Sequence, residues 1–309
     1  MKQRTIGGIG YIERPVFNFD WEVDRRQVES MLAARQDDFL IVHWDDLDLS
    51  LSTQKAYDLR RECWTAADYS KCDALLILEA PAPGSPFADF HHAEATMAQL
   101  LARGIPAVNS LRTFLEYPDK RYIIDRSDLP FPRTRLVTTE SDLGRAIEGL
   151  GDPVVLKPLI GAGGDGVGRV AANADALRQA MKPGHEYLLQ EFLPEIVDGE
   201  RCLFFFAKKY RYAVIKRPLA GEFVTDEAHA KFERYEPTAA ELALACDAIE
   251  RFGSPSLIER VDIVGSKVME MTFECPGLSI QCCGVEREVG YWTYEAIDMA
   301  IAAGGATVT

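Results

Sequence analysis

The sequence has few cationic residues, no long apolar run and no CxxC pair. Lys and Arg number 34 against 48 Asp and Glu, so the formal charge is −14 in a chain of 309 residues. This charge argues against nucleic acid and anionic membranes as partners. The longest apolar runs, ALLIL and LFFFA, are too short to cross a bilayer, and the opening MKQRTIGGIGYIERP lacks the apolar core of a signal peptide. We therefore expect a cytoplasmic protein that contacts neither nucleic acid nor membrane.

The cysteines and histidines also exclude some sites. The 7 cysteines are scattered, and their odd number leaves one without a disulfide partner, which indicates reduced thiols. His91 and His92 have no other ligand nearby in the sequence, so we expect them on a helix surface. Apolar residues make up 47% of the chain, which is enough for ordinary buried cores, and the length predicts about two domains.

Helical and strand patterns alternate over the first third of the chain. An amphipathic stretch follows Asp20, the runs FLIVHW, DALLILEA and IPAVNS are typical of strands, and FHHAEATMAQLLAR is typical of a helix. Helices between strands at this spacing predict a parallel sheet with crossover helices. The proline-rich stretch LEYPDKRYIIDRSDLPFPRTR then predicts a domain junction. Further on, RCLFFFA and YRYAVIKR predict an antiparallel pair, and TAAE at 238–241 predicts the capping box of a helix.

A glycine-rich stretch follows a strand pattern that carries Lys157. In VVLKPLIGAGGDGVGRV, residues 154–170, glycines recur from Gly161 onwards, and VGRVAA then has the pattern of a second strand. Glycine is common where backbone must turn tightly or approach a ligand closely. This pattern predicts a flap of strand, loop and strand whose amides cap phosphates while the lysine neutralises them.

Two other nucleotide motifs fit this stretch less well. Gly161, Gly163 and Gly166 match GxGxxG, but a dinucleotide fold needs a helix that begins inside the motif. A Walker A loop needs GK[ST], which this stretch does not have. A purely structural glycine hairpin stays open as the third alternative.

The segment RVDIVGSKVMEMT, residues 260–272, predicts a hairpin with two opposed carboxylates. A three-residue loop of Gly265, Ser266 and Lys267 pairs Val264 with Val268 and places Asp262 opposite Glu270. In this register Val261, Ile263, Met269 and Met271 share the other face, whereas a two-residue loop separates the carboxylates. Directly opposed Cβ atoms lie about 4.5 to 5.5 Å apart. Because two such acids repel each other, a shared Mg²⁺ is predicted, and an exposed hairpin with incidental acids is the alternative.

Taken together and in this order, LKPLIGAGGDGVGRV, YLLQEFLPEIVDGE and ERVDIVGSKVMEM resemble the ATP-grasp superfamily, in particular its bacterial glutathione synthetase-like branch and the cycloserine-type cyclo-ligases. The resemblance covers nearly the whole chain. It implies an α/β fold of three parts. These are an N-terminal α/β substrate domain at residues 1–115, a central ATP-grasp subdomain with the glycine flap at 116–187, and a C-terminal subdomain with the metal site at 188–309. The opening RTIGGIGYIERPVFNFDW differs from the strand expected there.

The resemblance implies a role for each candidate site residue. The phosphates would contact Lys120, Lys157, Gly161, Gly163, Gly164 and Gly166. The segment that joins the two clamping subdomains would bind adenine through its backbone, and it comprises Gln190, Glu191, Phe192 and Leu193. Glu200 would accept hydrogen bonds from the ribose. Read without the resemblance, the same segment is a core strand and Glu200 a turn carboxylate.

The chain departs from the family pattern at two places. Thr272 stands where relatives carry an asparagine that completes the metal site with Asp262 and Glu270, and a hydroxyl is a weaker Mg²⁺ ligand. The stretch IKRPLAGEFVTDEAHA has Val224 and His229-Ala230 where relatives have a second arginine and a glycine pair. Arg217 remains as the residue expected to contact the transferring phosphate or the substrate carboxylate, with Lys216 as the alternative.

The resemblance implies an ATP-dependent carboxylate-amine ligase for a small amino-acid-like substrate. ATP would phosphorylate the carboxylate, and an amine would displace phosphate to form an amide or peptide bond. The negative charge of the phosphates would be neutralised by Mg²⁺, with Mn²⁺ as an alternative, and by Lys120, Lys157 and Arg217. The flap would exclude water. The partners would be small carboxylate and amine substrates, and a homodimer or a homotetramer is compatible with the resemblance.

Other functions stay open at this point. One is an intramolecular cyclo-ligase, and another is an ATP-binding regulatory protein without turnover, which is supported by Thr272, Val224 and His229-Ala230. A third is a ligase that adds amino acids to a protein terminus, although the sequence shows no docking motif for it.

Overall fold

The computed structural model describes residues 3–10, 12–13, 18–19, 22–48, 50–78, 95–96, 98–100, 102–161, 164–223, 229–253, 256–273 and 276–303. His91, His92, Gly163 and Val224 lie outside these ranges, as does half of the predicted helix FHHAEATMAQLLAR. Within the described ranges, no helix is both long enough and apolar enough to cross a membrane.

The N-terminal part contains a six-stranded sheet. Its elements, with a short separate pair β2–β3, are β1 (Thr5–Gly10), β2 (Ile12–Glu13), β3 (Asn18–Phe19), α1 (Glu22–Ala34), β4 (Asp38–His43), β5 (Gln54–Asp58), β6 (Cys63–Ala67), β7 (Ala74–Ile77), β8 (Ala107–Val108) and α2 (Leu111–Glu116). The strand order is β6-β5-β4-β1-β7-β8. Strands β4, β1, β7 and β8 run parallel, whereas β5 and β6 add an antiparallel hairpin at one edge. The predicted parallel sheet is confirmed for the inner strands.

The opening segment was interpreted wrongly from the sequence. Thr5–Gly10 is the strand β1 and lies between β4 and β7 in the middle of the sheet. Both of its faces are buried, as is typical of inner parallel strands. The sheet therefore does begin with a strand, and the edge hairpin β5–β6 was not predicted.

The central part is a smaller antiparallel sheet with its own core. Its elements are α3 (Tyr122–Asp125), which precedes the sheet, β9 (Thr134–Val137), α4 (Leu143–Ile147), β10 (Val154–Pro158), β11 (Gly168–Val170), α5 (Ala174–Ala180) and β12 (Tyr187–Glu191). The strand order is β11-β10-β12-β9. One face packs on α4 and α5 through Leu143, Leu156, Leu177 and Leu189. The predicted pair of strands around the glycine loop is confirmed as β10 and β11.

The C-terminal part is a five-stranded antiparallel sheet. Its elements are β13 (Glu200–Phe206), β14 (Lys209–Pro218), β15 (Ala230–Tyr235), α6 (Ala239–Phe252), β16 (Ile258–Val264), β17 (Lys267–Thr272) and α7 (Glu288–Ala302). The strand order is β15-β14-β13-β16-β17, which confirms the predicted pairing of β13 with β14. Helix α6 begins with the predicted capping box of Thr238 and Glu241.

The five-stranded sheet shares its core with the N-terminal sheet. Ile6 and Phe39 of the N-terminal sheet lie in one apolar cluster with Phe204 and Val214 of the five-stranded sheet. The side chain of Asn109, which follows β8, makes 4 hydrogen bonds of 2.7 to 3.1 Å with backbone groups of residues 257, 258 and 273. These contacts fix the two sheets against each other.

Helices α1 and α7 complete this union. The amide of Gly290 in α7 donates a 2.7 Å hydrogen bond to the hydroxyl of Ser30 in α1. A Cβ at position 290 would lie 2.3 Å from the backbone oxygen of Ser30, so the helices approach as closely as they do only because this residue is glycine.

The sheets differ from the predicted boundaries at residues 116 and 187. Strand β12 runs across the boundary at 187, and its residues to Glu191 pair with β10 in the central sheet. The segment after residue 116 contributes to a different core. Tyr122 and Ile123 of α3 lie in a cluster with Phe205 and Val261 of the five-stranded sheet. The central sheet therefore spans about residues 134–191.

Candidate functional site

The site lies where the inner face of the central sheet meets the five-stranded sheet. Val155, Lys157, Leu188 and Gln190 share this inner face, because Val155 pairs with Gln190 and Lys157 with Leu188. Leu188 belongs to the apolar cluster of the five-stranded sheet rather than to the core of the central sheet. The two sheets thus form the walls of a cleft, with Lys157 on one wall.

The glycine loop is anchored by Lys120. Its ammonium group donates a hydrogen bond to the carbonyl of Gly161, and its backbone amide donates to the carbonyl of Leu159 at 3.1 Å. Gly164 and Gly166 have positive φ angles of 78° and 69°, and a Cβ at Gly166 would lie 2.8 Å from Pro158. The loop therefore needs glycine where it turns back from β10 to β11.

The segment Gln190–Leu193, which was expected to join the two clamping sheets, does so only in its second half, because Gln190 and Glu191 belong to β12. After β12, Phe192 and Leu193 connect the central sheet to a 3-10 helix at Pro194–Asp198, and β13 begins directly afterwards. Gln190 is fully buried and donates a 2.9 Å hydrogen bond to Thr134, whereas its carbonyl oxygen has no hydrogen-bond partner among the described residues. Glu191 is held by Arg133 through bonds of 2.6 and 2.8 Å.

The hairpin β16–β17 places Asp262 opposite Glu270, as predicted, but by a different route. The loop has two residues, Gly265 and Ser266, since Val264 pairs with Lys267. A β-bulge follows, in which Met269 has no partner on β16, and this restores the opposition of the carboxylates.

The predicted loop length is therefore wrong, and so is the predicted partner of Val264, whereas the opposition of the carboxylates is confirmed. Val268, not Met269, joins Val261 and Met271 in the buried apolar face.

Arg260 holds Asp262 in a buried ion pair. Its guanidinium donates two parallel hydrogen bonds of 2.8 Å to the carboxylate of Asp262, which is only 2% exposed. Burial alone would raise the pKa of Asp262, but Arg260 and Lys216 outweigh it and lower this pKa. Thr272 lies directly opposite Arg260 on β17, on the same face as Glu270.

Glu200 and Lys216 extend this charged row across β13 and β14. The two residues pair directly across the strands, and their charged groups lie 3.7 Å apart. Burial would lower the pKa of Lys216, but the neighbouring acidic groups Cys202, Glu200 and Asp262 raise it on balance. Lys216 is therefore a stable cation beside the carboxylates.

Arg217 is not part of this row. It follows Lys216 on β14 and so points to the opposite face of the sheet. There it donates a 2.6 Å hydrogen bond to the carbonyl of Asp198 and lies 3.7 Å from Glu233. Among the two predicted catalytic residues, the structure places Lys216 beside the carboxylates and Arg217 away from them.

Lys157 is a half-buried cation whose charge interacts with these carboxylates. Burial lowers its pKa, and the charges of Glu270, Glu200 and Asp262 act in the opposite direction. Lys120 lies 3.7 Å from Glu270. Lysines from two different parts of the chain therefore meet the carboxylates of the five-stranded sheet in one cleft.

The residues of the cleft fit Mg²⁺ and a nucleotide. Asp262 and Glu270 offer oxygen ligands from adjacent strands, which suits a hard cation, and Thr272 adds a hydroxyl on the same face. Lys157 and Lys120 offer charge to phosphates next to the glycine turn. The unpaired buried oxygen of Gln190 offers an acceptor for a donor such as an exocyclic amine.

Sequence reasoning missed two groups of residues near the site. The first is Arg260, which period-2 alternation in RVD places on the face of Asp262, so that the pattern could have revealed it. The second joins the flap to the other sheet. Arg169 of β11 lies 5.6 Å from the ring centroid of Phe192 and 5.7 Å from that of Phe223. No local sequence signal predicts this contact.

Comparison with known proteins agrees with this geometry. The family model of the prokaryotic glutathione synthetase ATP-grasp domain matches residues 120–282, about half of the chain. Glutathione synthetase of Bordetella parapertussis is 26% identical over 257 residues, which cover 79% of this chain and 78% of that protein.

Solved structures show the same fold. D-cycloserine synthetase DcsG has a TM-score of 0.64 at 16% identity, with 96% of this chain and 99% of the other covered. The RimK domain ATP-grasp protein from Sphaerobacter thermophilus also has a TM-score of 0.64, at 23% identity, with 94% and 98% covered. The chain therefore belongs to the prokaryotic glutathione synthetase ATP-grasp family, and it is an ADP-forming ligase that makes carbon–nitrogen bonds.

Proposed function

We propose that the protein activates the carboxylate of a small amino-acid-like substrate as an acyl-phosphate and transfers the acyl group to an amine. The observation that carries this proposal is the meeting of Lys120 and Lys157 with Asp262, Glu270 and their neighbours in one cleft. Phosphoryl transfer needs positioning and charge neutralisation more than acid-base groups. The cleft offers these two properties.

The cations of the cleft bind phosphates, and the carboxylates bind the metal. Lys157 and Lys120 hold the phosphates of ATP, and the glycine turn contributes backbone amides. Asp262, Glu270 and Thr272 would hold Mg²⁺, or Mn²⁺, which when bound would neutralise phosphate charge. The segment Gln190–Leu193, at the end of β12 and in the connection after it, binds the base in this proposal.

Arg260 and Lys216 are the residues that we assign to the transferring phosphoryl group and the substrate carboxylate. Both are cations on the face of the sheet that carries Asp262. Arg260 presents a planar fork that fits a carboxylate or a phosphate. Arg217, the residue expected from the sequence, contacts a backbone carbonyl on the other face instead.

The flap excludes water from the acyl-phosphate. Its two strands carry Lys157 and Arg169, and the turn between them lies next to Lys120. An acyl-phosphate is lost to hydrolysis unless the site is closed around it. Closure of the flap therefore protects the intermediate until the amine attacks.

Phosphate release from ATP tests the proposed reaction. Purified protein with Mg²⁺ is supplied with single amino acids and dipeptides, and then with pairs of them. Phosphate that appears only with a pair of substrates, one of them with a free amine, supports intermolecular ligation. Release with a single substrate and a cyclic product supports cyclisation instead. ATP binding without any substrate-dependent release contradicts the proposal.

Glu270→Gln tests the metal assignment. The change removes one negative charge opposite Asp262, and we expect the Mg²⁺ concentration for half-maximal activity to rise by about tenfold or more, with little loss of stability in metal-free buffer. Glu233→Gln is the control, since Glu233 lies near Arg217 on the other face. An unchanged Mg²⁺ requirement in Glu270→Gln would overturn the assignment.

A further inference from the structure

A thiol lies next to the proposed magnesium ligands. Cys202 on β13 pairs with Asp262 on β16, and Asp262 pairs in turn with Glu270 on β17. These three residues therefore form one row across three adjacent strands, with Asp262 in the middle. One neighbour of Asp262 is a carboxylate and the other is sulfur.

Glu200 adds a third ligand on the sulfur side. Single ligand atoms of Glu200, Cys202 and Asp262 all lie within 4.8 Å of one another. Ligand atoms around a tetrahedral Zn²⁺ are about 3.6 Å apart when the metal–ligand lengths are about 2.3 Å for sulfur and about 2.1 Å for oxygen. A contraction of about 1 Å, within the reach of side-chain rotation, brings the three groups into this geometry.

The three groups are enclosed by protein. Cys202 is fully buried, Asp262 is 2% exposed, and the charged end of Glu200 is held by Lys216. Such a site excludes most water, so a bound metal would keep few water ligands. Zn²⁺ accepts four ligands of mixed sulfur and oxygen type, whereas Mg²⁺ requires six and keeps its waters.

We propose that Glu200, Cys202 and Asp262 form a binding site for a thiophilic divalent cation, Zn²⁺ or Cd²⁺, which competes with the magnesium site for Asp262. The thiol proton passes to solvent when the metal binds. Asp262 cannot serve both metals at full strength, so occupation of the sulfur side removes a ligand from Mg²⁺.

The hardness of the metal ion decides whether it binds Asp262 together with Glu270 or together with Cys202. Mg²⁺ prefers oxygen ligands and therefore takes Glu270, while Zn²⁺ and Cd²⁺ bind thiolate more strongly. Either metal must take Asp262 from Arg260, so this cost is common to both sides and does not discriminate between them. Each side must also separate a carboxylate from a lysine 3.7 Å away, Glu200 from Lys216 and Glu270 from Lys120. The difference in affinity therefore depends on Cys202.

This inference adds metal-selective inhibition to the proposed reaction. Its competition with Mg²⁺ rests on the proposed role of Asp262, but the site itself does not. Metal binding can be measured without ATP, substrate or turnover. Failure of the metal site and failure of the proposed reaction are thus distinguishable.

Co²⁺ is the probe for the site, because a cobalt–thiolate bond absorbs in the near ultraviolet. The measurement uses the full-length protein with the exposed Cys63 and Cys246 changed to serine. We expect a charge-transfer band that Zn²⁺ displaces at one equivalent. The band should disappear in Cys202→Ala and weaken in Glu200→Gln.

A second measurement uses inhibition. Zn²⁺ should inhibit ATP turnover competitively with Mg²⁺, and Cys202→Ala should weaken this inhibition by at least about tenfold while activity with Mg²⁺ alone persists. If Cys202→Ala unfolds, Cys202→Ser and Cys202→Val serve in its place, with circular dichroism melting as the check.

Two results would overturn the proposal. One is the absence of a thiolate band in the protein that keeps Cys202. The other is a band, or a zinc inhibition, that persists unchanged in the Cys202 variants, because it would place the metal at other cysteines such as Cys282 and Cys283.

Discussion

The two sheets that form the cleft are built differently. The central sheet packs on its own two helices, and its core of Leu143, Leu156 and Leu189 is separate from the rest of the molecule. The five-stranded sheet has no such independence. It shares one apolar cluster with the N-terminal sheet and is joined to it by Asn109 and by the close contact of Gly290 with Ser30.

Because of this difference, we expect the central sheet to be the mobile side of the cleft. The five-stranded sheet and the N-terminal part move as one body, because separation would expose their common core. The central sheet is connected through Phe192 and Leu193, through Leu188, which packs in the apolar cluster of the five-stranded sheet, and through polar contacts such as Lys120 with Gly161. We therefore expect closure over ATP to be a movement of the central sheet towards the row of carboxylates on the five-stranded sheet.

Leu189→Ala should produce the largest difference in local stability between the two sheets. Leu189 is fully buried in the central core, and its truncation should cost about 2 to 5 kcal/mol of local stability. We expect hydrogen exchange to accelerate in β9–β12 but not in β13–β17. Val214→Ala, in the cluster that the five-stranded sheet shares with the N-terminal sheet, is the matched control and should accelerate exchange in the N-terminal sheet as well. Equal acceleration everywhere in Leu189→Ala would contradict the independence of the central sheet.

Gly290→Ala tests the union of the N-terminal part with the five-stranded sheet. The added Cβ meets backbone atoms of Ser30 and Met31 at 2.3 to 2.6 Å, so α1 and α7 must move apart. We expect a loss of about 1 to 3 kcal/mol in the free energy of unfolding, measured by denaturant titration. Gly277→Ala is the control, since nothing lies within 4 Å of its added Cβ. The idea fails if both variants are equally stable.

Lys157→Met should have opposite effects on binding and stability. ATP affinity should fall by about 10- to 100-fold, because a charged hydrogen-bond donor to phosphate is lost. Burial lowers the pKa of Lys157 from 10.5, so the folded state binds this proton less tightly than the unfolded state. The resulting penalty is present below the folded pKa and fades as the pH rises through it towards 10.5.

We therefore expect ATP-free Lys157→Met to melt above the parent protein at neutral pH, with a smaller difference at alkaline pH. Calorimetry and thermal melting measure the two effects. Lys182→Met, at an exposed position of the same subdomain, should change neither. A variant that melts at a lower temperature would show that Lys157 stabilises the ATP-free cleft.

Arg169→Ala should give the smallest effect. The cation–π contact with Phe192 and Phe223 joins the flap to the linker and to the loop after β14. Such contacts are worth about 0.5 to 1 kcal/mol at exposed sites, so the KM for ATP should rise about 2- to 5-fold with little change in the KM for the carboxylate. Arg178→Ala on the exposed side of α5 should leave both constants unchanged. An equal effect of the two variants on the KM for ATP would show that the contact of Arg169 with Phe192 and Phe223 does not contribute to ATP binding.

Local sequence signals predicted the elements that depend on local chemistry. The glycine-rich flap, the capping box at Thr238 and the pairing of β13 with β14 all follow from residues close together in the chain. The opposition of Asp262 and Glu270 was also predictable, because alternation constrains which faces can be buried. The β-bulge at Met269 was not, since an extra residue leaves no local composition signal.

Features that depend on packing between distant parts of the chain could not be predicted from the sequence. Strand β1 carries Gly7, Gly8 and Gly10, which give no strand signal, and its two faces are buried in two separate apolar clusters, one around Ile6 and one around Ile9, whose other members are distant in sequence. The family pattern favours Arg217 over Lys216 but carries no information on which face of the sheet each residue occupies. Tertiary pairing of β14 with β13 decides that question.

The chain enters and leaves the central sheet at one point. The amide of Glu191 donates a 2.9 Å hydrogen bond to the carbonyl of Arg133, in addition to the side-chain contacts, so the ends of segment 133–191 are neighbours. A segment with adjacent ends and its own core is a module that can be exchanged between proteins without disturbing its host. A chimera could thus receive a different nucleotide flap while its substrate-binding surface stays intact.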